Sequence, residues 1–313
     1  MLPPLLIAGG PLGKPFYYGG QAVLEGVMMR GRRNIAIAVR RPNGEVATFI
    51  QPLGALSTGR LREIPAVRGL LVLGETLYLG TRALLYSANV ALEEEEKAPS
   101  SALIWVMLTI SILFAVGVFF LGPTLLMRWL DPYLDSSLLS NLVEGLIRIG
   151  LFVAYVGAIG LAPDIRRVFA YHGAEHKAVN AYEAGSPMEV AEVRKYSTAH
   201  ARCGTGFLLV VLVLAIIIFA FLGTPPMWLR LLSRLALLPV IAGLGYELIR
   251  LGARYGGNKV VRAILAPSLV LQALTTREPD DSQLEVAISA LRRVIDADAP
   301  LAEAGESPAA AAG

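Results

Sequence analysis

Four long apolar runs constrain this chain more than any other feature of its sequence. They cover residues 102–127, 142–163, 205–223 and 231–251. Each is close to the roughly 20 residues that an α-helix needs to cross the hydrocarbon core of a bilayer. Only 17% of the residues are charged, against roughly a quarter in soluble domains. The pattern predicts an all-α polytopic membrane protein with about four transmembrane helices, and the lipid bilayer is its first expected partner.

The basic residues lie mainly on one side of the predicted spans. Residues 1–97 contain eleven lysines and arginines and residues 164–204 contain six, whereas the connection after the first span contains Arg128 alone. Because cytoplasmic loops carry an excess of these residues, we expect a multi-pass cell-membrane protein with both termini and the 164–204 loop in the cytoplasm. A single cysteine fits that reducing compartment. No nucleic-acid partner is expected from a net charge of only +3.

The segment before the spans is rich in glycine and predicts β-structure. Apolar, β-branched residues stand on both sides of Asn43-Gly44, a dipeptide that favours the turn of a β-hairpin. The closely spaced glycines ahead of it allow other backbone to approach closely. Gln21 and Glu25, which lie among them, are candidates for groups that bind or support a ligand.

A helix with one polar line is predicted between this β region and the first span. Its polar residues recur every seven positions and so stay near one helix face; they are Arg68, Glu75, Arg82 and Asn89. Either the helix lies in the membrane interface with this line outward, or the line faces a polar seam in the bundle. We favour the interfacial arrangement, because two arginines and a carboxylate make a crossing costly.

An amphipathic helix is predicted after the spans, on the cytoplasmic side. Asp280, Asp281 or Ser282 supplies its N-cap, and acidic residues fill its first turn as the helix dipole prefers. The predicted parts of the chain are a β region (1–63), an interfacial helix (64–97), a transmembrane bundle that includes the 164–204 loop (98–274), the C-terminal helix (275–298) and a disordered tail (299–313).

All three histidines and the only cysteine lie between the second and third spans. His172, Glu175 and His176 form the pattern H-x-x-E-H, the inverted order of the zinc-protease motif. Residues four apart share one face of a helix, so both imidazoles can reach one ion. Glu175 lies beside that face and is the candidate catalytic residue, a general base.

Further ligands are predicted from the same loop. Glu183 returns to the face of His176 if the helix persists, and His200-x-x-Cys203 can bring an imidazole and a thiolate to one ion. A set of nitrogen and sulfur ligands suits zinc, the expected cofactor. The predicted metal ligands are His172, His176, His200, Cys203 and Glu183.

Two alternatives to a catalytic zinc site stay open. A closed four-ligand site is usually structural, whereas a catalytic site keeps an open position; that position exists if His200 or Cys203 is not a ligand. Alternatively, His172, Glu175 and Lys177 form a hydrogen-bonded or headgroup-binding network without an ion. Basic residues near the loop favour an anionic lipid or a lipid-linked substrate; they are Arg166, Arg167, Arg194 and Lys195.

Five motifs together resemble the YqhQ-like family of uncharacterised bacterial membrane proteins, sometimes described as predicted metal-dependent enzymes. They are GGQAVLEGVMMRG (19–31), YHGAEHKAVNAYE (171–183), HARCGTGFL (200–208), GYELIR (245–250) and LQALTTREPDDSQLEVAI (271–288). The resemblance extends over about residues 15–295 and implies a location in the bacterial inner membrane. It also implies that six residues match the family's motif positions, namely His172, Glu175, His176, Glu183, His200 and Cys203.

The sequence therefore predicts a zinc-dependent integral membrane enzyme with its site at the cytoplasmic face. The expected reaction is hydrolysis of a lipid-linked or membrane-near substrate. The alternative is a non-enzymatic scaffold or transport-related protein, in which a structural metal or a hydrogen-bonded cluster of His, Cys and Glu side chains braces the loop.

Overall fold

A computed structural model describes residues 17–54, 64, 67–91, 101–255 and 258–299 of the chain. Within these ranges the protein is mostly helical, with one antiparallel sheet near the N-terminus. The predicted disordered tail lies outside the described residues, apart from Ala299.

The N-terminal region forms a four-stranded antiparallel sheet, which is larger than the predicted hairpin. Its strands pair in sequence order and are β1 Gly19–Val23, β2 Gly26–Arg30, β3 Asn34–Arg40 and β4 Val46–Pro52. The predicted hairpin is confirmed as the β3–β4 connection. Gly44 adopts a φ of 89° there, a backbone conformation that glycine reaches without steric cost.

The central strands of the sheet, β2 and β3, are buried on both faces, because successive side chains point to opposite sides and helices cover each side. On β3, Ala36 and Ala38 pack with the helices that begin at Pro163 and Asp281. Ile35 and Ile37 point the other way and pack against Leu79 of the helix that begins at Val67. The two central strands, β2 and β3, therefore have near-continuous apolar sequences instead of alternating ones.

Eleven α-helices lie in the described part of the chain, joined in one place by a π-helical turn, Gly117–Leu121, and in another by a 3₁₀ turn, Asp131–Tyr133. The helices are α1 Val67–Ala91, α2 Ser101–Val116, α3 Gly122–Leu130, α4 Ser137–Ile159, α5 Pro163–Glu183, α6 Val190–Val193, α7 Gly204–Phe221, α8 Met227–Ala236, α9 Leu238–Arg254, α10 Lys259–Thr275 and α11 Asp281–Asp298.

The polar line of α1 is divided between two environments. Arg68 pairs with Glu247 of α9, and Glu75 pairs with Arg30 of β2. Arg82 and Asn89, in the second half of the helix, are exposed. The first half of the line thus faces a polar seam inside the protein, and the placement of α1 in a membrane interface stays a prediction.

Among the residues that the structure describes, three helical segments are long and apolar enough to cross a membrane, and a fourth crossing is counted if one bent pair forms a single span. The straight segments are Trp105–Tyr133, Ser137–Ile159 and Gly204–Phe221. The bent pair consists of α8 and α9, which meet at 42°. The sequence places one continuous span at 231–251, whereas the structure divides this region.

The bend between α8 and α9 has a local cause. Pro239 stands in the first turn of α9; it has no N–H to continue the hydrogen bonds of a helix arriving from α8. The resulting angle allows Arg230 and Arg234 of α8 to point into the bundle, where both are buried. Position 237 is therefore a joint between two short helices.

The C-terminal helix α11 is confirmed, and its capping residue is Asp280. The Asp280 carboxylate accepts from the Gln283 backbone N–H at 2.9 Å, and the Gln283 side chain accepts from the Asp280 N–H at 3.0 Å. This reciprocal pair is a capping box. The apolar face of α11 packs on β3 and α5, so the helix holds α5 against the sheet.

Candidate metal centre

Helix α5 carries the H-x-x-E-H motif on its buried part. It extends from Pro163 to Glu183 and ends just before Gly185, which adopts a φ of 68°. His172 and His176 therefore lie one turn apart, with ring centroids separated by 4.3 Å. His176 is buried and His172 is half-buried. Helix geometry alone thus places two imidazoles side by side.

A backbone carbonyl holds each of the two imidazole rings in a fixed orientation. His172 Nδ1 lies 2.9 Å from the carbonyl oxygen of Thr275, and His176 Nδ1 lies 2.6 Å from that of Thr198. A carbonyl oxygen only accepts, so each Nδ1 donates, and in a neutral ring this leaves Nε2 as the atom that can bind a metal. Histidines that bind metals are oriented in this way by outer hydrogen bonds.

Cys203 completes a group of three ligand atoms. It is the N-cap of α7, where its Sγ accepts from the Thr205 N–H at 3.4 Å. Its Sγ also lies 3.3 Å from His172 Nε2. Zinc–ligand bond lengths imply ligand atoms roughly 3.3–3.6 Å apart in a tetrahedral site. One ligand atom from each of His172, His176 and Cys203 lies within 4.8 Å of the others, which small side-chain shifts can close around zinc.

Glu175 lies beside these ligands and outside the group of three. Its carboxylate accepts a hydrogen bond from the Gly20 N–H of β1 at 2.9 Å. Burial raises the pKa of Glu175, against the opposing effects of His172 and the Gly20 N–H. A side chain at Gly20 would overlap the Met28 carbonyl oxygen and crowd the Glu175 carboxyl. The close approach of β1 to α5 therefore requires glycine at this position.

The two other predicted ligands, His200 and Glu183, face each other beside the centre. His200 Nε2 lies 3.7 Å from a Glu183 oxygen, and Arg202 also pairs with that carboxylate. Burial opposes ionisation of Glu183, but His200 and Arg202 together lower its pKa. Burial lowers the pKa of His200, with Glu183 acting in the opposite direction. Among the described residues, neither side chain belongs to the group of three, and their role as ligands stays a prediction.

Gln272 fixes the position of His200 through its backbone. The Gln272 amide oxygen accepts from the His200 N–H at 2.9 Å, and its amide nitrogen donates to the His200 carbonyl at 2.9 Å. Gln272 is buried in α10, one turn before Thr275, which accepts from His172. Helix α10 thus supports the centre at two points, and both residues lie in the 271–288 motif, which by itself assigned them no role.

The remaining candidates lie farther from the ligands. Glu25 pairs with Arg167 and accepts from Tyr171 at 3.3 Å, while Gln21 packs against Gly80 of α1. Lys177 donates to the Arg194 carbonyl at 2.8 Å and pairs with Glu278. Glu25 and Lys177 thus connect α5 to its neighbours, Gln21 lies between β1 and α1, and none of the three contributes an atom to the group of three ligands.

Substitution of Gly173 is expected to loosen the centre without removing a ligand. An alanine Cβ at this position would overlap the carbonyl oxygen of Arg277, and overpacking of this kind costs about 1–3 kcal/mol. The displaced chain would carry Thr275 away from His172. Thermal unfolding of Gly173→Ala in detergent measures the effect. Gly150→Ala on α4, where the added Cβ meets nothing within 4 Å, is the matched control, and equal stability of the two variants would contradict the prediction.

Comparisons with known proteins agree with the motif resemblance. Residues 64–297 match the family described as "Protein of unknown function (DUF1385)". The chain is 34% identical over 308 residues to the uncharacterized protein YqhQ of Bacillus subtilis (strain 168), covering 94% of this chain and 96% of that protein. No solved structure matches.

Proposed function

Since the chain belongs to the DUF1385 family of proteins of unknown function, we propose its function from the metal centre: it is a membrane-embedded, zinc-dependent hydrolase. The observation that carries the proposal is the group formed by His172, His176 and Cys203, with ligand atoms within 4.8 Å of one another. Three protein ligands leave one position of a tetrahedral ion for a substrate, as in catalytic zinc sites.

The residues around this group have distinct tasks. The Thr275 and Thr198 carbonyls hold the Nδ1 atoms of the two imidazoles, so that each Nε2 would be the atom that binds the ion. Zinc bound there supplies a Lewis acid that polarises a substrate oxygen. Glu175 accepts the proton of the attacking water, and the Gly20 N–H keeps its carboxylate in place. Burial of this glutamate keeps bulk water from competing for that proton.

The position of the centre supports a substrate at the membrane surface. Cys203 caps α7, one of the segments that are apolar and long enough to cross a bilayer. A site at the end of such a span lies where lipid headgroups are in reach. We therefore propose a lipid-linked or membrane-near substrate, with the centre at the cytoplasmic face, as the distribution of basic residues favours.

The set of basic residues near the loop contributes less to this proposal; it consists of Arg166, Arg167, Arg194 and Lys195. Three of its four residues pair with carboxylates: Arg167 with Glu25, Arg194 with Asp281 and Lys195 with Glu192. Pairing reduces the charge available to an anionic lipid. The proposal for a lipid-linked substrate rests on the membrane-edge position of Cys203.

A structural role for the metal is the competing proposal. A metal held by α5 and by the Cys203 cap would join α5 to α7 across a loop of 20 residues. Such a brace needs no general base and no open position. The two proposals differ in what they expect of Glu175 and of the fourth ligand.

Metal analysis of the full chain purified in detergent tests the centre directly. We expect stoichiometric zinc in the wild type and its loss in His176→Ala and Cys203→Ala, because each removes one of three ligands. His200→Ala and Glu183→Gln are the matched controls and should retain zinc. A wild type without stoichiometric metal would refute the metal centre, and loss of zinc in His200→Ala would indicate a closed site.

A further inference from the structure

A second polar centre lies among the apolar helices, away from the zinc ligands. We call it the arginine cluster; it comprises Glu144, Arg148, Arg230 and Arg234, with Asp131 at its edge. The side chains of Arg148, Arg230, Arg234 and Glu144 are each no more than 2% exposed. Charged groups buried within apolar spans are costly and commonly mark functional sites.

Glu144 is the shared partner of all three arginines. One of its oxygens accepts from Arg148 at 2.8 Å and from the Thr124 hydroxyl at 2.9 Å. The other accepts from Arg230 at 2.8 Å, and Arg234 contacts both oxygens at 3.1 Å. Both carboxylate oxygens are therefore saturated with donors, and Glu144 cannot neutralise a further cation.

Positive charge exceeds negative charge in the cluster. Three arginines face two carboxylates, Glu144 and Asp131, so the formal sum is 3 − 2 = +1. Asp131 is 31% exposed and binds Arg230 at 2.6 Å. Within the described residues, the buried Nη1 of Arg234 has no hydrogen-bond partner. The Phe219 ring, 4.1 Å from the Arg234 guanidinium, offsets only part of this charge.

A cavity leads from the surface to Arg230, the arginine of the cluster that contributes to its lining. Its volume is about 520 Å³, and its lining includes Arg230, Ser140 and Asp131. The exposed Arg128 and Asp135 also line it and add one charge of each sign, so the surplus of +1 is unchanged. Ser140 donates to Asp131 at 2.6 Å and accepts from Arg230 at 2.9 Å. Cavities of this volume hold small ligands. The cluster is thus accessible to a polar group that enters from outside the bundle.

The cavity lies at the opposite end of the bundle from the zinc ligands. Helix α7 starts beside Cys203, and the chain just after its other end contributes the Gly223 carbonyl, which accepts from Asn141 at 3.0 Å. The 18 residues of α7 span roughly 27 Å, close to the ~30 Å of a hydrocarbon core. If α7 crosses the bilayer, the cavity opens at the membrane surface opposite the metal centre.

We propose that the arginine cluster binds an anion of the phosphate class at this second site. Guanidinium groups bind phosphate through paired, charge-assisted hydrogen bonds. One such anion cancels the surplus positive charge and supplies an acceptor to Arg230, the buried arginine that lines the cavity. The phosphate is either free or part of a lipid headgroup. This inference goes beyond the proposed hydrolase and does not depend on zinc.

Thermal unfolding of the full chain in phosphate-free detergent buffer tests the site. The probes are inorganic phosphate and phosphatidylglycerol in mixed micelles, with diacylglycerol as the phosphate-free lipid. We expect the wild type to be stabilised by a phosphate-bearing probe, because a ligand that binds only the folded state raises the unfolding temperature. Stabilisation by both probes assigns the site to phosphate itself, and stabilisation by phosphatidylglycerol alone assigns it to a lipid headgroup.

Two substitutions change the charge balance in opposite directions. Arg234→Gln removes the surplus charge and should weaken probe affinity by about tenfold or more. Asp131→Asn increases the surplus at a partly exposed position and should strengthen it. Arg82→Gln, exposed on α1, is the control that should match the wild type, and all four proteins are compared with and without a zinc chelator.

The outcome that overturns the proposal is equally specific. A wild type unaffected by both phosphate-bearing probes would leave the cluster as a structural ion network only. The proposal is also overturned if Asp131→Asn and the wild type bind the probes with equal affinity. This comparison can be made even if Arg234→Gln fails to fold. Zinc content is measured on the same samples, so that failure of this site is distinguished from failure of the metal centre.

Discussion

Glu175→Gln is expected to abolish turnover while leaving zinc bound. Glutamine keeps the size of the side chain but cannot take a proton, and loss of a general base costs about 10²–10⁴-fold in rate. Zinc should stay because Glu175 lies outside the group of three ligands. The measurement compares the lipids of cells that lack the chain with those of cells complemented by the wild type or the variant. The expected substrate is the species that accumulates without the chain and disappears only with the wild type.

Glu183→Gln is the matched control, because it changes a second carboxylate on the same helix. Glu183 pairs with Arg202 and His200 and is not in the group of three, so this variant should restore the lipid profile. Full complementation by Glu175→Gln, with zinc bound in both variants, would contradict a general base and favour the structural brace. Loss of zinc from Glu175→Gln would show that the carboxylate supports the ligands themselves.

Glu144→Leu is expected to have the largest effect on stability. It leaves Arg148, Arg230 and Arg234 buried without their shared acceptor, and removing one partner of a single buried ion pair already costs about 3–5 kcal/mol. Since whole domains are stable by about 5–15 kcal/mol, we expect little folded protein. The measurement is the yield of monodisperse protein in detergent, together with its unfolding by denaturant.

An exposed glutamate provides the comparison for this loss. Glu189, just before α6, is exposed, and its replacement by leucine should change the free energy of unfolding by less than about 0.5 kcal/mol. If the free energy of unfolding of Glu144→Leu lies within about 1 kcal/mol of the wild-type value, the three arginines must be solvated. That result would remove the basis for the buried surplus charge.

Local patterns predicted several elements correctly because their causes lie within a few residues. The hairpin at Asn43-Gly44 follows from the backbone freedom of that pair. The start of α11 follows from the Asp280 cap. The apolar runs likewise identify helices that are long enough to cross a bilayer.

Patterns of charge were less informative, because a charge acquires its partner only through folding. The spacing of Glu144 and Arg148 predicts a structural pair on one helix, near the start of the second span where water or headgroups are in reach. The structure buries them and adds Arg230 and Arg234 from a helix some 86–90 residues away in sequence. The bend near Pro239 allows Arg230 and Arg234 to reach Glu144. The prediction of one continuous span at 231–251 does not include this bend and so does not predict these contacts.

By itself, the sequence determined that His172 and His176 share a helix face, because spacing in a helix is set by its hydrogen bonds. Only the tertiary structure decided which further groups join them. Cys203 lies beside them because it caps α7, and Gln272 binds the backbone of His200. The Gly20 N–H donates to Glu175, which is 155 residues away in sequence. The physical reason is range: periodicity and capping depend on near neighbours, whereas a ligand set depends on how separate helices and strands pack.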